Sequence, residues 1–430
     1  MPRREPPPPG RAGRPYVVPP ALLRSGEPFD GHHVVDEVRS PLGVLLWEGV
    51  RDVVLWAATA PANRPGLFSS RAYRERVAAL HSLELDHDVR GMMVLLSGVL
   101  DSETQPDRQA VARTCRKLAF WAEERLLPRT SIWYAQAAAL AAPESAEHAY
   151  TVGLLCRRNT EYTRAETWYR RAIGLARRRR DARVYAQAYL ELGDLFMQRG
   201  DYGRAKLTFE RSLNTARRAG LRVIRARSLH SLFALAVETN QAAGAEAYAR
   251  MASRAYPRNH AHLPKLAHDV AIFWMFQGYY ERALIVLQAV LGTVTRTNER
   301  LMLVSSIARA AGGAGRIGAF TSAWAETWQI VDTCPTLECV TSSLLRLAYG
   351  SASLRDWERV ELAARHALEL AAARGQVQVQ QEAKALLDAA EQHHFTETLI
   401  SPPEEAAILE SADRLARDLV RRLAGYADGG

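Results

Sequence analysis

The sequence has almost no lysine, few cysteines and no long apolar run. Four of its 56 Lys and Arg residues are lysine, so arginine carries nearly all of the positive charge. Four cysteines in 430 residues are too few and too scattered to form the disulfide framework of a small secreted domain. We therefore expect reduced thiols and a cytoplasmic location.

No segment has the pattern of a secretory signal or a membrane span. The N-terminus, "MPRREPPPPGRAGRPYVVPP", passes from charge into proline where a signal peptide needs an apolar stretch. The most apolar segment, residues 41–59, carries Glu48, Arg51 and Asp52, which would be costly at the centre of a bilayer. Its apolar residues follow helical spacing, which predicts a packed helix and no membrane partner.

Glycine and histidine clusters give only weak indications of chemistry. The stretch "GAGRIG", Gly313 to Gly318, has the spacing of a dinucleotide-binding loop, and Glu338 follows 20 residues later. No other strand accompanies it, so a turn between helices is the favoured interpretation and nucleotide binding the alternative. His32 and Asp36 would share a helix face, but no second ligand pair completes a metal site. We expect no cofactor, no metal, no catalytic residues and no enzyme activity.

A pattern with a period near 40 residues fills the middle of the chain. Ala205 and Phe209 lie 12 and 16 residues after Gly193, and the same spacing follows other reference residues. The frame from Leu232 continues to Gly244, Tyr248 and Met251. Further references are Gly153 and Ala271, a position near Ile307, and Ala348.

The physical meaning of this pattern is a helix hairpin. Two small residues let the two helices approach closely, and the large residue four positions after the second one fills the space between them. Turn residues separate the helices, as in "QRGDY" and "QGYY". Each hairpin retains an uncovered apolar face, which only a stacked neighbour can bury.

One unit carries a family resemblance. The pattern is matched by Leu192, Gly193, Phe196, Tyr202, Ala205 and Phe209. On these residues the unit resembles a tetratricopeptide repeat, although that repeat has a period of ~34 residues. The longer unit is similar to those of bacterial signalling and transcription-regulator repeat domains. The resemblance implies an all-α, right-handed superhelical solenoid of helix-turn-helix repeats with helical caps.

The pattern also predicts how the chain is divided. We expect a disordered Pro/Arg-rich tail over residues 1–24 and an N-terminal helical cap over 25–105. About six hairpin repeats should occupy 106–392, and a C-terminal capping helix and tail should follow over 393–430.

Positive charge is concentrated in the repeats between Arg157 and Arg227. This segment holds 19 Lys and Arg against 7 Asp and Glu and includes "RRRR" at 177–180, whereas the whole chain has a formal net charge of +9. One interpretation is that these arginines are the solvated outer faces of helices. The other is that they form a docking surface for an acidic protein or for nucleic acid.

The resemblance implies a ligand groove lined by the first helix of each hairpin. The residues at matching positions are Tyr150, Leu154, Arg157, Arg158, Leu190, Asp194, Met197, Leu229, Phe233, His268, Ile272 and Met275. The implied function is a non-catalytic interaction scaffold or ligand-sensing module that binds an extended or helical, acidic protein segment. The alternative is a transcription-related regulator that acts on nucleic acid through its arginine-rich repeats or through a DNA-binding partner.

Overall fold

The computed structural model describes residues 32–101, 103, 106–396 and 406–427. Over these residues the chain forms twenty α-helices and two short 3-10 helices, with no β-strand, which confirms the all-α prediction. The predicted tail of residues 1–24 lies outside this part of the chain. The described residues divide into two compact units, unit 1 up to Gly200 and unit 2 from Asp201.

Unit 1 contains nine α-helices. They are α1 (His32–Glu37), α2 (Pro41–Ala58), α3 (Ser70–His81), α4 (His87–Ser97), α5 (Arg108–Glu124), α6 (Pro128–Ala141), α7 (Ala146–Arg158), α8 (Tyr162–Arg179) and α9 (Ala182–Gln198). The 3-10 helices Pro61–Gly66 and Gly98–Leu100 lie in the same unit. Helices α5 and α6 pack as one hairpin, and α7 and α8 as the next.

Unit 2 contains the remaining eleven. They are α10 (Tyr202–Arg218), α11 (Arg222–Glu238), α12 (Ala242–Ala255), α13 (Leu263–Phe276), α14 (Tyr280–Leu291), α15 (Thr297–Gly313), α16 (Ile317–Thr333), α17 (Val340–Ser353), α18 (Trp357–Ala373), α19 (Val377–Glu391) and α20 (Ala406–Ala427). Helices α11 to α18 pack as four successive hairpins. We call α7, α9, α11, α13, α15 and α17 first helices, and α8, α12, α14, α16 and α18 second helices.

The same three-residue turn ends each helix that starts a pair. Its middle residue has a left-handed φ of 54–80°, at Leu126, Thr160, Gly200, Asn240, Gly278, Gly315 and Arg355. The third residue donates its backbone N–H to the carbonyl five residues earlier, as in Glu161 to Cys156 at 2.9 Å and Tyr279 to Trp274 at 2.8 Å. This closure satisfies carbonyls that the helix end would leave without partners. Helices of up to 18 residues joined by short turns account for the period near 40.

Inside a hairpin the small reference residue lies against the large residue of the second helix. A Cβ atom on Gly153 would lie 2.6 Å from Cδ1 of Tyr169, and the Tyr169 side chain is completely buried. The spacing between these two residues is the one that the sequence pattern predicts. Only glycine leaves room for the ring at this position.

Neighbouring hairpins pack through the second helix of one against the first helix of the next, as α8 does on α9 and α14 on α15, and their first helices also touch. In unit 2 the buried rings of Phe233 on α11 and Phe273 on α13 meet edge to face, with 5.8 Å between centroids. Farther along, a Cβ on Gly312 of α15 would lie 2.2 Å from the carbonyl oxygen of Gly350 on α17. Small residues thus bring adjacent backbones into contact, and this contact covers the apolar face that one hairpin leaves open.

The sequence frame of the third repeat is wrong by one residue. The frame starting at Leu232 puts Tyr248 and Met251 in the core, but the structure buries Ala249 and Ala252 and leaves Met251 39% exposed. The register was ambiguous because two small residues, glycine and then alanine, follow the turn, and either satisfies the pattern.

Helices α1 and α2 are joined to α6 by polar contacts. The Glu37 carboxylate accepts hydrogen bonds from the backbone N–H groups of Arg129 and Thr130, at 2.6 and 2.8 Å, and so caps α6. The buried Tyr134 hydroxyl donates to the carbonyl of Leu46 on α2 at 2.8 Å. Burial raises the pKa of Tyr134 well above its usual value, so this hydroxyl keeps its proton.

Two glycine-to-alanine changes in unit 1 should have opposite effects. Gly153→Ala should lower the free energy of unfolding by about 1–3 kcal/mol, because its Cβ would overlap the Tyr169 ring. Gly174→Ala should raise it by about 0.5–1 kcal/mol, because Gly174 is an exposed position within α8 with open space around it. Urea denaturation followed by circular dichroism measures both. Equal stability of the two variants would contradict the hairpin packing.

Candidate functional site

In unit 1 the predicted groove residues separate into core and surface. Leu190 is fully buried and Leu154 nearly so, and both pack inside the unit. The side chains of Tyr150, Asp194 and Met197 are partly exposed. Apart from the two arginines, these three are the predicted groove residues of unit 1 that a ligand on α7 and α9 could contact without rearrangement of the helices.

The two arginines predicted for this surface are already paired with carboxylates. Arg157 Nη2 lies 2.8 Å from Oε2 of Glu191, a residue that is only 2% exposed. The exposed Arg158 donates to Glu123. Burial alone would lower the pKa of Arg157, but the charge of Glu191 outweighs it and the pKa is raised. These pairs join adjacent repeats and offer little free positive charge to an acidic ligand.

The four consecutive arginines lie elsewhere. Arg177, Arg178, Arg179 and Arg180 are exposed at the C-terminal end of α8, and Arg180 has left-handed φ. Arg178 and Arg179 lie 3.8 and 3.9 Å from the Glu144 carboxylate. Cations at a helix C-terminus are favoured by the helix dipole. The structure therefore places these four arginines together on the surface at the end of a second helix, away from the predicted groove residues of α7 and α9.

In unit 2 three of the predicted groove residues are buried. Leu229, Phe233 and Met275 are at most 2% exposed. The one-residue error in the frame explains the first two, because the surface position of that repeat belongs to His230. His268 and Ile272 keep partly exposed side chains. His230 was missed because the alanines after the turn gave no signal for the correct register.

A polar cluster links three successive first helices in unit 2. His230 Nε2 lies 2.9 Å from Oδ2 of Asp269, and His268 Nδ1 lies 3.5 Å from its Oδ1. The other ring nitrogen of His268 lies 3.3 Å from the Ser306 hydroxyl on α15. Burial would raise the pKa of Asp269, but hydrogen bonds from both histidines outweigh it and hold that pKa well below its usual range. The cluster keeps a carboxylate ionised on this face.

A cleft of about 450 Å³ opens beside this cluster, mainly between α13 and α15. It combines polar groups with apolar ones, and Lys265 and Met302 are exposed. Burial and the nearby Arg227 lower the pKa of His262 to about 4, so His262 is neutral at neutral pH, where Lys265 carries a positive charge. The lining residues are Ala261, His262, Pro264, Lys265, His268, Asp269, Val290, Val294, Glu299, Met302 and Leu303. Of the predicted groove residues, His268 lines it.

The weaker chemical signals have plain structural explanations. "GAGRIG" spans the turn between α15 and α16, and a helix precedes it where a dinucleotide-binding loop needs a strand, which confirms the predicted turn. No group of three His, Cys, Asp or Glu side chains within the described ranges is arranged to hold a metal ion. The side chain of His32 lies outside them. None of the described helices is both long and apolar enough to cross a membrane.

The comparison with protein families finds one repeat. A tetratricopeptide repeat model matches residues 186–218, which comprise most of α9 and all of α10. This segment contains Gly193, Ala205 and Phe209, the residues that define the sequence pattern. No curated protein matches the sequence.

Solved structures similar to this chain contain helical repeats. The apo form of RapI has 14% identity and a TM-score of 0.44, with 66% of this chain and 98% of that one covered. PilF of Pseudomonas aeruginosa has 17% identity and a TM-score of 0.41, with 55% and 97% covered. The Rap conjugation gene regulator of plasmid pLS20, solved with the Phr* peptide, has 15% identity and a TM-score of 0.37, with 80% and 96% covered.

The family match and the hairpin that recurs in both units lead to one identification. Small reference residues, left-handed three-residue turns and close contact between first helices all recur. The chain is a tetratricopeptide-like repeat protein.

Proposed function

We propose that this protein is a non-catalytic interaction module that binds a segment of another protein on the exposed side of its first helices. The observation that carries the proposal is the cleft between α13 and α15 in unit 2. Stacked repeats present such surfaces in series, so an extended or helical segment can contact several repeats at once.

The lining of the cleft indicates which ligand chemistry it would accept. Met302 and Val294 offer an apolar surface, and Lys265 offers one exposed cation. Asp269 is held as an anion by His230 and His268 and can accept hydrogen bonds from a peptide N–H group. The fitting ligand is a peptide segment with an apolar anchor near Met302 and a carboxylate near Lys265.

The cations that would contact an acidic ligand are therefore not the predicted Arg157 and Arg158 but Lys265 and the arginines at 177–180. Arg157 and Arg158 are engaged by Glu191 and Glu123, whereas Lys265 is exposed in the cleft and Arg177 to Arg180 are exposed at the end of α8. We propose one acidic contact in the cleft of unit 2 and a separate electrostatic one at 177–180 in unit 1.

Photo-crosslinking tests the cleft directly. Met302 replaced by p-benzoylphenylalanine should cross-link to a host polypeptide in the native lysate, because its side chain is 37% exposed inside the cleft. Adding Lys265→Glu should reduce the cross-linked product severalfold by repelling the carboxylate of the ligand. The product is measured by gel shift and mass spectrometry.

The matched control is the same photo-reactive residue at Leu362, which is 56% exposed on α18 of the same unit. Little product is expected there. Equal cross-linking at the two positions would show non-specific contact, and no product at Met302 would exclude the cleft as the ligand site.

A second candidate function rests on the exposed arginines. Arg177 to Arg180 at the end of α8 could bind phosphate groups of nucleic acid, as arginine forks do. No recognition helix accompanies them in the sequence, so the binding would be independent of base sequence.

Salt dependence distinguishes this candidate. If it holds, changing Arg177 to Arg180 to Gln should weaken DNA binding and flatten the plot of log affinity against log salt by about 1 per lost contact. The control changes four exposed arginines with the same loss of charge, Arg39, Arg71, Arg74 and Arg113. Fluorescence anisotropy with a duplex of random sequence measures both. An equal effect in the two variants would show that DNA binding depends on net charge and not on a site at 177–180.

A further inference from the structure

The last helix of the chain folds back onto repeats that lie far earlier in the sequence. Helix α20 contacts the second helices α12 and α14 and also α13. Its buried side chains form one stripe at helical spacing, Ala412, Leu415, Ala416, Leu419 and Leu423. We call the surface of α12 to α14 beneath this stripe the α20 seat.

One end of the α20 seat is held by arginine. Arg282 of α14 donates from Nε and Nη2 to Oδ1 of Asp413, at 2.9 and 2.6 Å. Its guanidinium lies over the rings of Tyr279 and Trp274, 4.6 and 5.3 Å from their centroids. Nearby, Arg250 of α12 donates to the Ser411 hydroxyl. The seat therefore recognises a carboxylate with an oriented, stacked cation.

At the other end of the α20 seat, the cation belongs to α20 and the acceptors belong to the seat. Arg422 of α20 donates to the backbone carbonyls of Tyr256 and Pro257, at 2.9 and 3.2 Å, and to that of Ser253. These carbonyls lie at the C-terminal end of α12, where a helix leaves acceptors unsatisfied and favours a cation. The Ser253 hydroxyl donates to Asp418 at 3.0 Å. Charge and hydrogen bonding thus fix the direction in which a helix lies on the seat.

Helix α20 does not fill the surface it occupies. A cleft of about 970 Å³ runs between α14 and α20, with Tyr279, Tyr280 and Ile285 on one side and Arg417 and Val420 on the other. Ile285 remains 49% exposed. The seat therefore has apolar surface that a bulkier helix than α20 would cover.

The seat helices also make contacts with one another that do not involve α20. The turn between α13 and α14 is closed by the hydrogen bond from Tyr279 N–H to the Trp274 carbonyl, and Trp274 donates to Glu246 of α12 at 2.7 Å. Helix α20 adds side-chain contacts from outside. A helix held in this way can leave while its seat stays folded.

We propose that the α20 seat is a binding site for an amphipathic helix of a partner protein, and that α20 is its internal competitor. The partner helix carries an Ala/Leu stripe like that of α20, a carboxylate for Arg282 and, nine residues later, an arginine for the end of α12. Charge complementarity at both ends and the unfilled cleft carry this inference. The seat is the surface beneath α20, mainly on the second helices α12 and α14, so this inference does not rest on the cleft between α13 and α15.

A labelled peptide with the sequence of residues 406–427 tests the seat in the full-length chain. In a variant with Leu419→Asp and Leu423→Asp the resident helix should leave, and the peptide should bind by fluorescence anisotropy about tenfold or more tightly than to the wild type. The matched control, Leu362→Asp with Val377→Asp, adds the same charge at exposed positions of unit 2 and should bind the peptide like the wild type.

A charge exchange tests the predicted direction of binding. Adding Arg282→Glu to the Leu419→Asp, Leu423→Asp variant should abolish peptide binding, and a peptide with Asp413→Arg should restore it. A full-length chain with Asp413→Arg alone provides a second opened variant that retains the apolar stripe. Thermal unfolding by circular dichroism checks that each variant is folded.

Three results would overturn the proposal. One is equal peptide binding to the wild type and to both opened variants, and another is binding that ignores Arg282→Glu. The third is a wild-type dimer by light scattering that the opened variants lose, since a second copy would then be the true occupant of the seat.

Discussion

A helix hairpin in this protein has an apolar face that only the next hairpin can cover, and the structure depends on that constraint. The second helix of one hairpin packs on the first helix of the next, and where the first helices α15 and α17 meet, Gly312 and Gly350 let their backbones come into contact. Each turn must also reverse the chain direction so that the second helix packs on the first. The left-handed conformation of the middle residue of the turn provides this reversal. Stability is thus local and shared between neighbours.

The same constraint decides which side chains of a first helix are available for binding. A residue that faces the neighbouring hairpin belongs to the core, and the next one along the helix can be on the surface. Leu229 and His230 show how sharply this boundary falls: Leu229 is 1% exposed in the core, and the next residue, His230, reaches Asp269 on the face. Charges on this face also pair between repeats, as Arg157 does with Glu191, so the electrostatics of the surface cannot be read from single residues.

Two surfaces of unit 2 have distinct chemistry. The cleft between α13 and α15 combines one exposed lysine with an ionised aspartate held by two histidines. The α20 seat presents a stacked arginine at one end and, at the other, the carbonyls at the C-terminal end of α12 that accept from Arg422. The first suits a peptide contacted partly through its backbone, and the second suits a preformed helix with fixed direction. The two proposed sites therefore lie on different surfaces of the same repeat array.

The sequence by itself determined the helical class, the hairpin unit, its long period and the family resemblance, because these follow from side-chain size and spacing along one helix. It also placed the "GAGRIG" stretch correctly in a turn. Tertiary structure alone decided the register of the third repeat, since glycine and alanine are adjacent there and both fit a small-residue position. It also decided the pairing of Arg157 with Glu191 and the place of α20, because contacts between residues tens or more than a hundred positions apart depend on the stacking of whole helices and leave no periodic trace in the chain.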